Sequence, residues 1–374
     1  MDMLVAKKPK VGFRVDASLQ IGTGHVMRCI TLANALRNLE WECFFICRDL
    51  QGNLCNYIIQ KGYTVFALVC DISTDEDFVN DNWLGCSWQL DARQTVQILE
   101  KNIVDLLVVD HYSLNKDWEE VLKSYCRKLM VIDDLANRKH CCDLLLDQTF
   151  GRVADDYSNL LPANTQIFAG AHFALIRPEF PQLRQYSLER RKQINLQRLL
   201  IFMGGVDEFN ATERVIEGLL LSKLPTHCSL VIVMGSQAPY LESVRKRIID
   251  IPWQTEIWVN VEHMANLMAE ADLAIGAAGS TTWERCCLGL PTLLATLADN
   301  QRDITKALTK DAAVISIGNP LSPQFTSELA NAINELVSNP ELLNSLSHQC
   351  STIVDGQGCS LIAKTVNELL SGVI

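Results

Sequence analysis

One stretch of the sequence decides the fold: Asp16-Ala17-Ser18-Leu19-Gln20-Ile21-Gly22-Thr23-Gly24-His25-Val26-Met27-Arg28. The apolar residues 11–15 before it predict a buried β-strand, and the residues after it place apolar side chains on one helical face. Gly22 and Gly24 permit backbone angles and close approaches that a Cβ would block. The stretch therefore predicts a strand, a glycine-rich turn and a helix whose first amides, with His25, face an anionic ligand.

The composition indicates an ordinary globular protein of 374 residues, with 48% hydrophobic and 21% charged residues, and this length favours two domains. The formal charge of −11 argues against nucleic acid as a partner, because binding to phosphate backbones requires a basic surface. No run of about 18 apolar residues occurs, so we expect no membrane partner. Fourteen cysteines without a Cys-x-x-Cys pair predict reduced thiols. We expect a cytoplasmic protein and, by default, a monomer.

Strand-like and helix-like segments alternate along the chain. We predict strands at residues 11–15, 42–47, 64–68, 106–109, 129–132 and 144–146, and again at 199–203, 230–234, 273–275, 292–295 and 314–317. Continuously apolar strands that alternate with helices are typical of doubly wound parallel sheets, which bind ligands at the carboxyl ends of their strands. The predicted fold class is α/β, with two Rossmann-like domains facing a central cleft.

The alternation stops near Arg177-Pro178 and restarts at residue 199. We therefore expect an N-terminal domain at residues 1–183, a solvated polar linker at 184–198 and a C-terminal domain at 199–350. Residues 351–374 are expected to form a C-terminal helix that packs back toward the N-terminal domain.

A second glycine-rich turn, Gly279-Ser280-Thr281-Thr282, follows the predicted strand at 273–275. Its amides and hydroxyls suit a diphosphate, and Glu284 can accept hydrogen bonds from ribose hydroxyls. A capping box, in which Ser or Thr and a following acid close the start of a helix, explains the same residues equally well. Both interpretations stay open at this point.

A third turn, Gly204-Gly205, also follows an apolar strand. Three such turns in one chain favour a ligand that carries phosphate. Asn300 and Gln301 follow another strand, and amide side chains recognise sugar hydroxyls and acetamido groups. A plain polar loop is the alternative for these two residues.

Polar residues end two strands of the N-terminal half: Asp110-His111-Tyr112 and Asp133-Asp134. Tyr112 can donate a hydrogen bond to a substrate and Asp110 or His111 can orient a neighbour, but acids at strand ends also cap helices. Asp75-Glu76-Asp77 matches the Asp-x-Asp pattern of Mg²⁺-dependent sugar transferases, although a solvated acidic loop is the favoured interpretation. We expect neither a metal nor a cofactor.

Eight segments carry a resemblance to a known family, in order: residues 14–18, 21–29, 108–112, 131–136, 142–148, 173–180, 276–290 and 297–302. Together they resemble the UDP-2,4-diacetamido-2,4,6-trideoxy-β-L-altropyranose hydrolases of bacterial pseudaminic acid synthesis. The resemblance implies a GT-B architecture like that of the peptidoglycan N-acetylglucosaminyltransferase. It also implies metal-independent removal of UDP by water at the anomeric carbon, with inversion. One departure is Ala277-Ala278, where the family often has a further glycine.

The resemblance implies a catalytic role for His25. It also implies that Tyr112 lies in the sugar pocket and that the turn with Ser280, Thr281, Thr282 and Glu284 binds UDP. From the sequence patterns we further expect the sugar to contact Asp16, Gly22, Gly24, Arg28, Asn300 and Gln301, and UDP to contact Gly204, Gly205 and Gly279. Because a helix N-terminus disfavours a positive imidazolium, we expect a neutral His25 that accepts a proton from the attacking water. The alternatives are a GT-B glycosyltransferase and a non-catalytic nucleotide-sugar-binding protein. The configuration of the sugar stays open, with legionaminic-type and spore-coat sugars as further options.

Overall fold

The computed structural model describes residues 8–69, 83–193 and 195–371. The acidic stretch Asp75-Glu76-Asp77 lies outside the described residues. The chain divides into two compact units. Unit 1 comprises the described residues up to Leu175 together with those from Gly358 onward, and unit 2 comprises Ile176–Gln357.

Each unit is built on one parallel sheet. In unit 1 the strands are β1 (Lys10–Val15), β2 (Glu42–Arg48), β3 (Thr64–Leu68), β4 (Val104–Asp110), β5 (Cys126–Ile132), β6 (Leu144–Asp147) and β7 (Gln166–Ala169). In unit 2 they are β8 (Arg198–Phe202), β9 (Ser229–Met234), β10 (Thr255–Val259), β11 (Leu273–Ala277), β12 (Thr292–Ala295) and β13 (Ile315–Ser316). The spatial orders are β3-β2-β1-β4-β5-β6-β7 and β10-β9-β8-β11-β12-β13.

Helices connect most successive strands, and three more follow the last strand, β13. They are α1 (Gly24–Asn38), α2 (Cys55–Gln60), α3 (Trp88–Leu99), α4 (Lys116–Leu122), α5 (Glu179–Arg190), α6 (Ala211–Leu220), α7 (Leu241–Arg247), α8 (Met264–Glu270), α9 (Thr281–Cys287), α10 (Arg302–Lys310), α11 (Phe325–Ser338), α12 (Glu341–Ile353) and α13 (Gly358–Ser371). Among the described residues, no helix is both long and apolar enough to cross a membrane.

Both sheets have the strand order of a Rossmann fold, which confirms the predicted α/β class. In each sheet the order reverses between two neighbouring strands, β1 and β4 in unit 1 and β8 and β11 in unit 2. Helices cover both faces of the unit 1 sheet, so successive strand residues face different cores. In β4, Leu106 and Val108 face one core and Leu107 and Val109 face the other. This two-sided burial is why the strands are continuously apolar.

The basic segment 184–198, predicted as a solvated linker, belongs to unit 2 and is not a linker. Most of its first half continues α5, and its arginines point inward. Arg184 donates hydrogen bonds to the carbonyls of Cys287, Ser351 and Val354. Arg191, buried at 3% exposure, donates to carbonyls of Met268, Ala269 and Gly289. These cations satisfy carbonyls at the ends of α8, α9 and α12.

The last helix, α13, returns to unit 1. Its buried side chains Ile362 and Val366 join the core that contains Val26 and Leu32 of α1. A Cβ on Gly358 would lie 2.5 Å from the carbonyl carbon of Phe173, so this close approach requires glycine. The domain boundaries therefore differ from the predicted ones: the first segment of unit 1 ends at Leu175, and the chain re-enters that unit at Gly358.

Candidate functional site

The predicted catalytic turn lies at the switch point of the unit 1 sheet. β1 and β4 are neighbours, with Val15 paired to Asp110. The chain leaves β1 at Asp16, turns through Gly22 and enters α1 at Gly24. Ligands of open α/β sheets bind where the strand order reverses, at the carboxyl ends of the strands. The topology therefore brings His25 and the polar residues after β4 together.

His25 is held by a carboxylate. Its Nδ1 lies 2.6 Å from Oδ1 of Asp110, and its side chain is 12% exposed. A terminal nitrogen of Arg28 also lies 3.1 Å from Nδ1, but the Asp110 carboxylate is the closer neighbour and only accepts hydrogen bonds. Nδ1 therefore carries the proton of the neutral ring. Nε2 then keeps the lone pair and can accept a proton. The ring also meets Tyr112 edge-on, with the ring centroids 4.8 Å apart.

Asp110 stays ionised because Arg28 donates hydrogen bonds to both of its carboxylate oxygens. Nε and one terminal nitrogen of Arg28 each lie 2.6 Å from an oxygen of Asp110. Burial would raise the pKa of the Asp110 carboxyl, but the charge of Arg28 and the hydrogen bonds from Arg28 and His25 outweigh burial and hold that pKa well below its usual range. Arg28 is itself buried, so here it orients Asp110 and is not presented to solvent as a sugar-binding side chain.

Arg28 also links this cluster to Asp134, whose Oδ2 lies 3.1 Å from the second terminal nitrogen. The side chain of Asp134 is 23% exposed. Burial and the nearby Asp134 carboxylate raise the pKa of Tyr112, so the Tyr112 hydroxyl stays protonated and can donate a hydrogen bond. Trp83 packs against Tyr112 with the ring centroids 5.3 Å apart.

Asp16 is not placed to contact a ligand, which corrects its assignment to the sugar. Its side chain is fully buried and receives two hydrogen bonds from Arg14, at 2.6 and 2.8 Å. The Arg48 backbone amide donates a third at 2.7 Å. His111 faces the same carboxylate across 3.4 Å and accepts a hydrogen bond from the Ser113 amide at Nδ1. Asp16 and His111 therefore support the strand ends from inside.

The two acidic residues that follow β5 also differ in exposure. Asp133 is fully buried and accepts hydrogen bonds from Arg138, Tyr157 and the Ala136 amide. Asp134 is its partly exposed neighbour. Of the pair, only Asp134 reaches the cluster around His25.

Gly22 is required by its own backbone. Its φ is +78°, a conformation that side chains rarely adopt, and its amide donates to the carbonyl of Ser18 at 2.9 Å. This tight turn directs the chain into α1 and so positions the first helical turn, where Gly24 and His25 stand.

The turns of unit 2 also lie at a switch point. β8 and β11 are neighbours, with Phe202 paired to Gly276, and Gly204-Gly205 and Gly279-Ser280 follow these two strands. A Cβ on Gly205 or Gly279 would meet no atom of the described residues within 4 Å, and neither glycine has a positive φ. Among the described residues, neither space nor backbone conformation requires glycine at these two positions, and the missing side chains leave the backbone open to close approach.

The residues after Gly279 do not form the capping box that the sequence left open. Ser280 is exposed and stands at the N-cap of α9, but within the described residues its hydroxyl makes no capping hydrogen bond. Glu284 instead pairs with Arg177, with Oε1 3.1 Å from Nε. Burial raises the pKa of Glu284, and the Arg177 charge opposes that rise. The second oxygen, Oε2, is buried and accepts no hydrogen bond from the described residues.

Ala277 and Ala278 carry no backbone strain. Neither alanine is among the described residues with a positive φ. The conformation of this turn is therefore open to alanine, and the departure from the family pattern does not disturb it.

The third turn differs from a simple phosphate-binding turn. Asp207 accepts hydrogen bonds from the amides of Ala211 and Thr212, at 2.8 and 3.0 Å. Its carboxylate thus occupies the start of α6, where a phosphate would otherwise meet free amides. A phosphate at this turn would meet only the backbone of Gly204, which has a φ of +110°, and the backbone of Gly205.

The predicted amide pair lies in the loop after β12. Gln301 accepts a hydrogen bond from the Leu297 amide at 2.9 Å, so its carbonyl oxygen closes its own loop. The side chain of Asn300 lies outside the described part of the structure. Within the described residues, no three His, Cys, Asp or Glu side chains are grouped as metal ligands would be.

Three residues at these sites were given no role from the sequence: Trp83, Arg177 and Arg285. Arg177 lies in a segment that carries the family resemblance, which is the signal that could have found it. Arg285 also lies in such a segment, residues 276–290. Trp83 stands out only through its contact with Tyr112.

Comparison with known proteins supports the resemblance read from the sequence. The chain is 28% identical over 280 residues to the UDP-2,4-diacetamido-2,4,6-trideoxy-beta-L-altropyranose hydrolase of Campylobacter jejuni, covering 75% of this chain and 88% of that protein. It is 23% identical over 363 residues to the spore coat polysaccharide biosynthesis protein SpsG of Bacillus subtilis, covering 96% and 98%. It also matches an uncharacterized protein of Methanocaldococcus jannaschii at 26% identity over 302 residues, which are 79% of this chain but only 57% of that protein.

Solved structures share the fold. MurG of Acinetobacter baumannii superposes with a TM-score of 0.68 at 14% identity, covering 97% of this chain and 100% of that one. UGT89C1 of Arabidopsis thaliana, complexed with UDP, gives 0.65 at 13% identity, covering 98% and 99%. No protein-family profile matches the chain. The chain therefore has a GT-B-like fold of two Rossmann-like domains, and in sequence it is a relative of the UDP-2,4-diacetamido-2,4,6-trideoxy-β-L-altropyranose hydrolase and of SpsG.

Proposed function

We propose that the chain hydrolyses a UDP-linked 2,4-diacetamido-2,4,6-trideoxyhexose, of β-L-altropyranose configuration, to the free sugar and UDP. One observation carries the proposal: His25 is held through Nδ1 by the ionised Asp110, so that Nε2 is the proton acceptor. The similarity to the Campylobacter jejuni hydrolase supports this class of reaction.

The reaction is a single displacement at the anomeric carbon. The oxygen of water forms a bond to that carbon while its proton passes to Nε2 of His25. The bond from the carbon to the β-phosphate oxygen breaks, and UDP leaves with the electron pair, so the configuration inverts. The Asp110 carboxylate stabilises the imidazolium that forms, as in other histidine–carboxylate pairs. General-base catalysis of this kind contributes roughly 10²- to 10⁴-fold in rate.

The UDP moiety is assigned to the turn after β11. Backbone amides of Gly279, Ser280 and Thr281 and the hydroxyls of Ser280 and Thr281 donate hydrogen bonds to the diphosphate and stabilise the charge that grows on the β-phosphate. Thr282 is buried, and its amide donates to the Gly279 carbonyl at 2.9 Å, so it supports the turn from inside. The unpartnered Oε2 of Glu284 accepts a hydrogen bond from a ribose hydroxyl. The protonated Tyr112 hydroxyl donates to the sugar.

The decisive experiment incubates the purified chain with the UDP-sugar in the absence of any acceptor and measures UDP and free sugar. We expect both products in equal amounts. His25→Asn should lower kcat by about 10²- to 10⁴-fold, whereas His348→Asn, at an exposed position of α12, should leave it unchanged. Addition of a chelator should not alter the rate. Near-wild-type turnover by folded His25→Asn would refute the role of His25, and a requirement for Mg²⁺ would refute the metal-independent mechanism.

A glycosyltransferase is the second candidate, because the fold is that of MurG and UGT89C1. It would release little UDP until an acceptor hydroxyl is supplied, which the same assay detects. A protein that binds the UDP-sugar without any turnover would be a non-catalytic binder. Because SpsG is also a relative, a panel of UDP-sugars with different configurations tests the identity of the sugar.

A further inference from the structure

Arg285 in α9 is a buried cation without an acidic partner. The residue is 2% exposed, and within the described residues it forms no ion pair. In unit 1, by contrast, Arg14, Arg28 and Arg48 each pair with a carboxylate. A buried charge is costly unless it is compensated. The charge of the preceding residue, Glu284, acts on Arg285, but Glu284 pairs with Arg177 instead. The absence of an ion pair to Arg285 therefore needs a reason.

The guanidinium of Arg285 ties together the two ends of the turn after β11. One terminal nitrogen donates to the carbonyl of Ala277 at 2.9 Å and to Oγ1 of Thr282 at 3.0 Å. The other lies 3.3 Å from Oγ1 of Thr281. Because arginine only donates, both hydroxyl oxygens act as acceptors toward it, and their own protons are left to donate elsewhere. The cation thus makes both threonines donors, but only Thr281 is partly exposed and can reach a ligand, since Thr282 is buried at 1% exposure.

Gly276 provides independent support for this arrangement. A Cβ at this position would lie 2.5 Å from a terminal nitrogen of Arg285 and 3.0 Å from the Phe202 carbonyl oxygen. Gly276 has no positive φ, so the close approach of the guanidinium is what excludes larger residues. Glycine at the end of this strand therefore leaves the space that the guanidinium of Arg285 occupies.

We infer that Arg285 is a positioning residue for nucleoside diphosphate binding. It lies beneath the exposed turn Gly279-Ser280, supplies a positive charge there that no ion pair of the described residues neutralises, and fixes the partly exposed Thr281 as a hydrogen-bond donor to the diphosphate. It acts through the turn, because its own side chain is buried. Burial lowers the pKa of Arg285 to about 10, so the charge persists at neutral pH. This inference rests on the proposed binding of UDP by unit 2.

The test compares the binding of UDP and uridine by calorimetry, with uridine as the probe that lacks phosphate. Arg285→Met should weaken UDP binding at least about tenfold, the loss expected for a charge-assisted interaction, and leave uridine binding unchanged. Arg285→Lys should recover part of the UDP affinity, because it keeps the positive charge but loses the planar guanidinium that donates to several acceptors at once. Arg191→Met is the matched control, since Arg191 is also buried and donates to backbone carbonyls away from this turn.

A structural role alone would lower the melting temperature of Arg285→Met without a selective loss of UDP affinity, and that result would overturn the inference. Should Arg285→Met fail to fold, Gly276→Ala displaces the guanidinium while keeping the charge, and it should also weaken UDP more than uridine. Equal loss for both ligands would overturn the inference. Failure of the wild-type chain to bind UDP would instead refute the proposed function itself.

Discussion

At the scale of single residues, the chemistry of His25 depends on what contacts its Nδ1. The carboxylate of Asp110 accepts the Nδ1 proton, and Arg28 keeps that carboxylate ionised. The helix N-terminus was expected to keep the imidazole neutral, but the structure adds a specific partner that selects the tautomer. The proposed base is therefore a pair of residues, His25 with Asp110, and not a histidine alone.

Asp110→Asn should lower kcat by about 10²- to 10⁴-fold with little change in KM, because an amide can donate to Nδ1 and leave the proton on Nε2. Asp134→Asn is the matched control, since it also removes a partner of Arg28 but does not touch His25. Steady-state kinetics on both variants, with melting temperatures to establish folding, make the comparison. Equal effects of the two substitutions would show that loss of charge around Arg28, and not the tautomer, is responsible.

His111 should make the stability of the chain depend on pH. Burial lowers the pKa of His111 from 6.5 to about 4. Between these values the unfolded chain binds a proton that the folded chain does not, so the free energy of unfolding falls as the pH falls from 6.5 to 4. The loss amounts to at most about 3 kcal/mol. Denaturant unfolding at several pH values gives the free energy of unfolding against pH. Between pH 4 and 6.5 this free energy should change less steeply for His111→Asn than for the wild-type chain. An unchanged dependence on pH would contradict the lowered pKa of His111.

At the scale of elements, the glycines in and beside the turns are required for different physical reasons. Gly22 is needed for its positive φ, Gly276 for the approach of Arg285, and Gly279 for neither reason. Similar sequence patterns therefore have different physical causes. The difference lies in the backbone angles and the surroundings of each glycine and not in the sequence pattern.

Gly279→Ala should leave the melting temperature unchanged but weaken UDP binding by about tenfold, because the added methyl meets only the ligand. Gly22→Ala is the opposite case: its φ of +78° should cost roughly 1 kcal/mol of stability. Thermal unfolding and UDP titration of both variants test this contrast. Unchanged UDP affinity of Gly279→Ala would argue against a diphosphate at this turn.

At the scale of the whole molecule, the two units are not two consecutive halves of the sequence. The last helix, α13, joins the core of the first unit, where Ile362 is fully buried with residues of α1. The stability of unit 1 therefore depends on residues at the far end of the chain.

Ile362→Ala should destabilise unit 1 by about 2–5 kcal/mol, the usual cost of removing a large buried aliphatic side chain. Hydrogen exchange should become faster in β1, β4 and α1. The strands of unit 2 should keep the protection of the wild-type chain. Faster exchange in β8 and β11 instead would contradict the assignment of α13 to unit 1.

The strands that the sequence did not predict are β7 and β10. Both lie at the edge of a sheet, and β10 alternates half-buried and exposed residues, so neither has the continuous apolar run of a central strand. The prediction of a solvated linker at 184–198 was wrong for a related reason. Charge usually marks a solvated surface, but Arg184 and Arg191 are long enough to reach helix ends inside unit 2.

The sequence by itself determined the α/β class, the central strands and the glycine-rich turns at the switch points, because these follow from local periodicity and backbone freedom. Only the tertiary structure decided which charges meet. Asp110 stands 85 residues from His25 and reaches it because β4 pairs with β1. Asp16, adjacent to the same turn, is instead buried against Arg14 and Arg48. Such contacts depend on sheet order and side-chain direction, which no local pattern encodes.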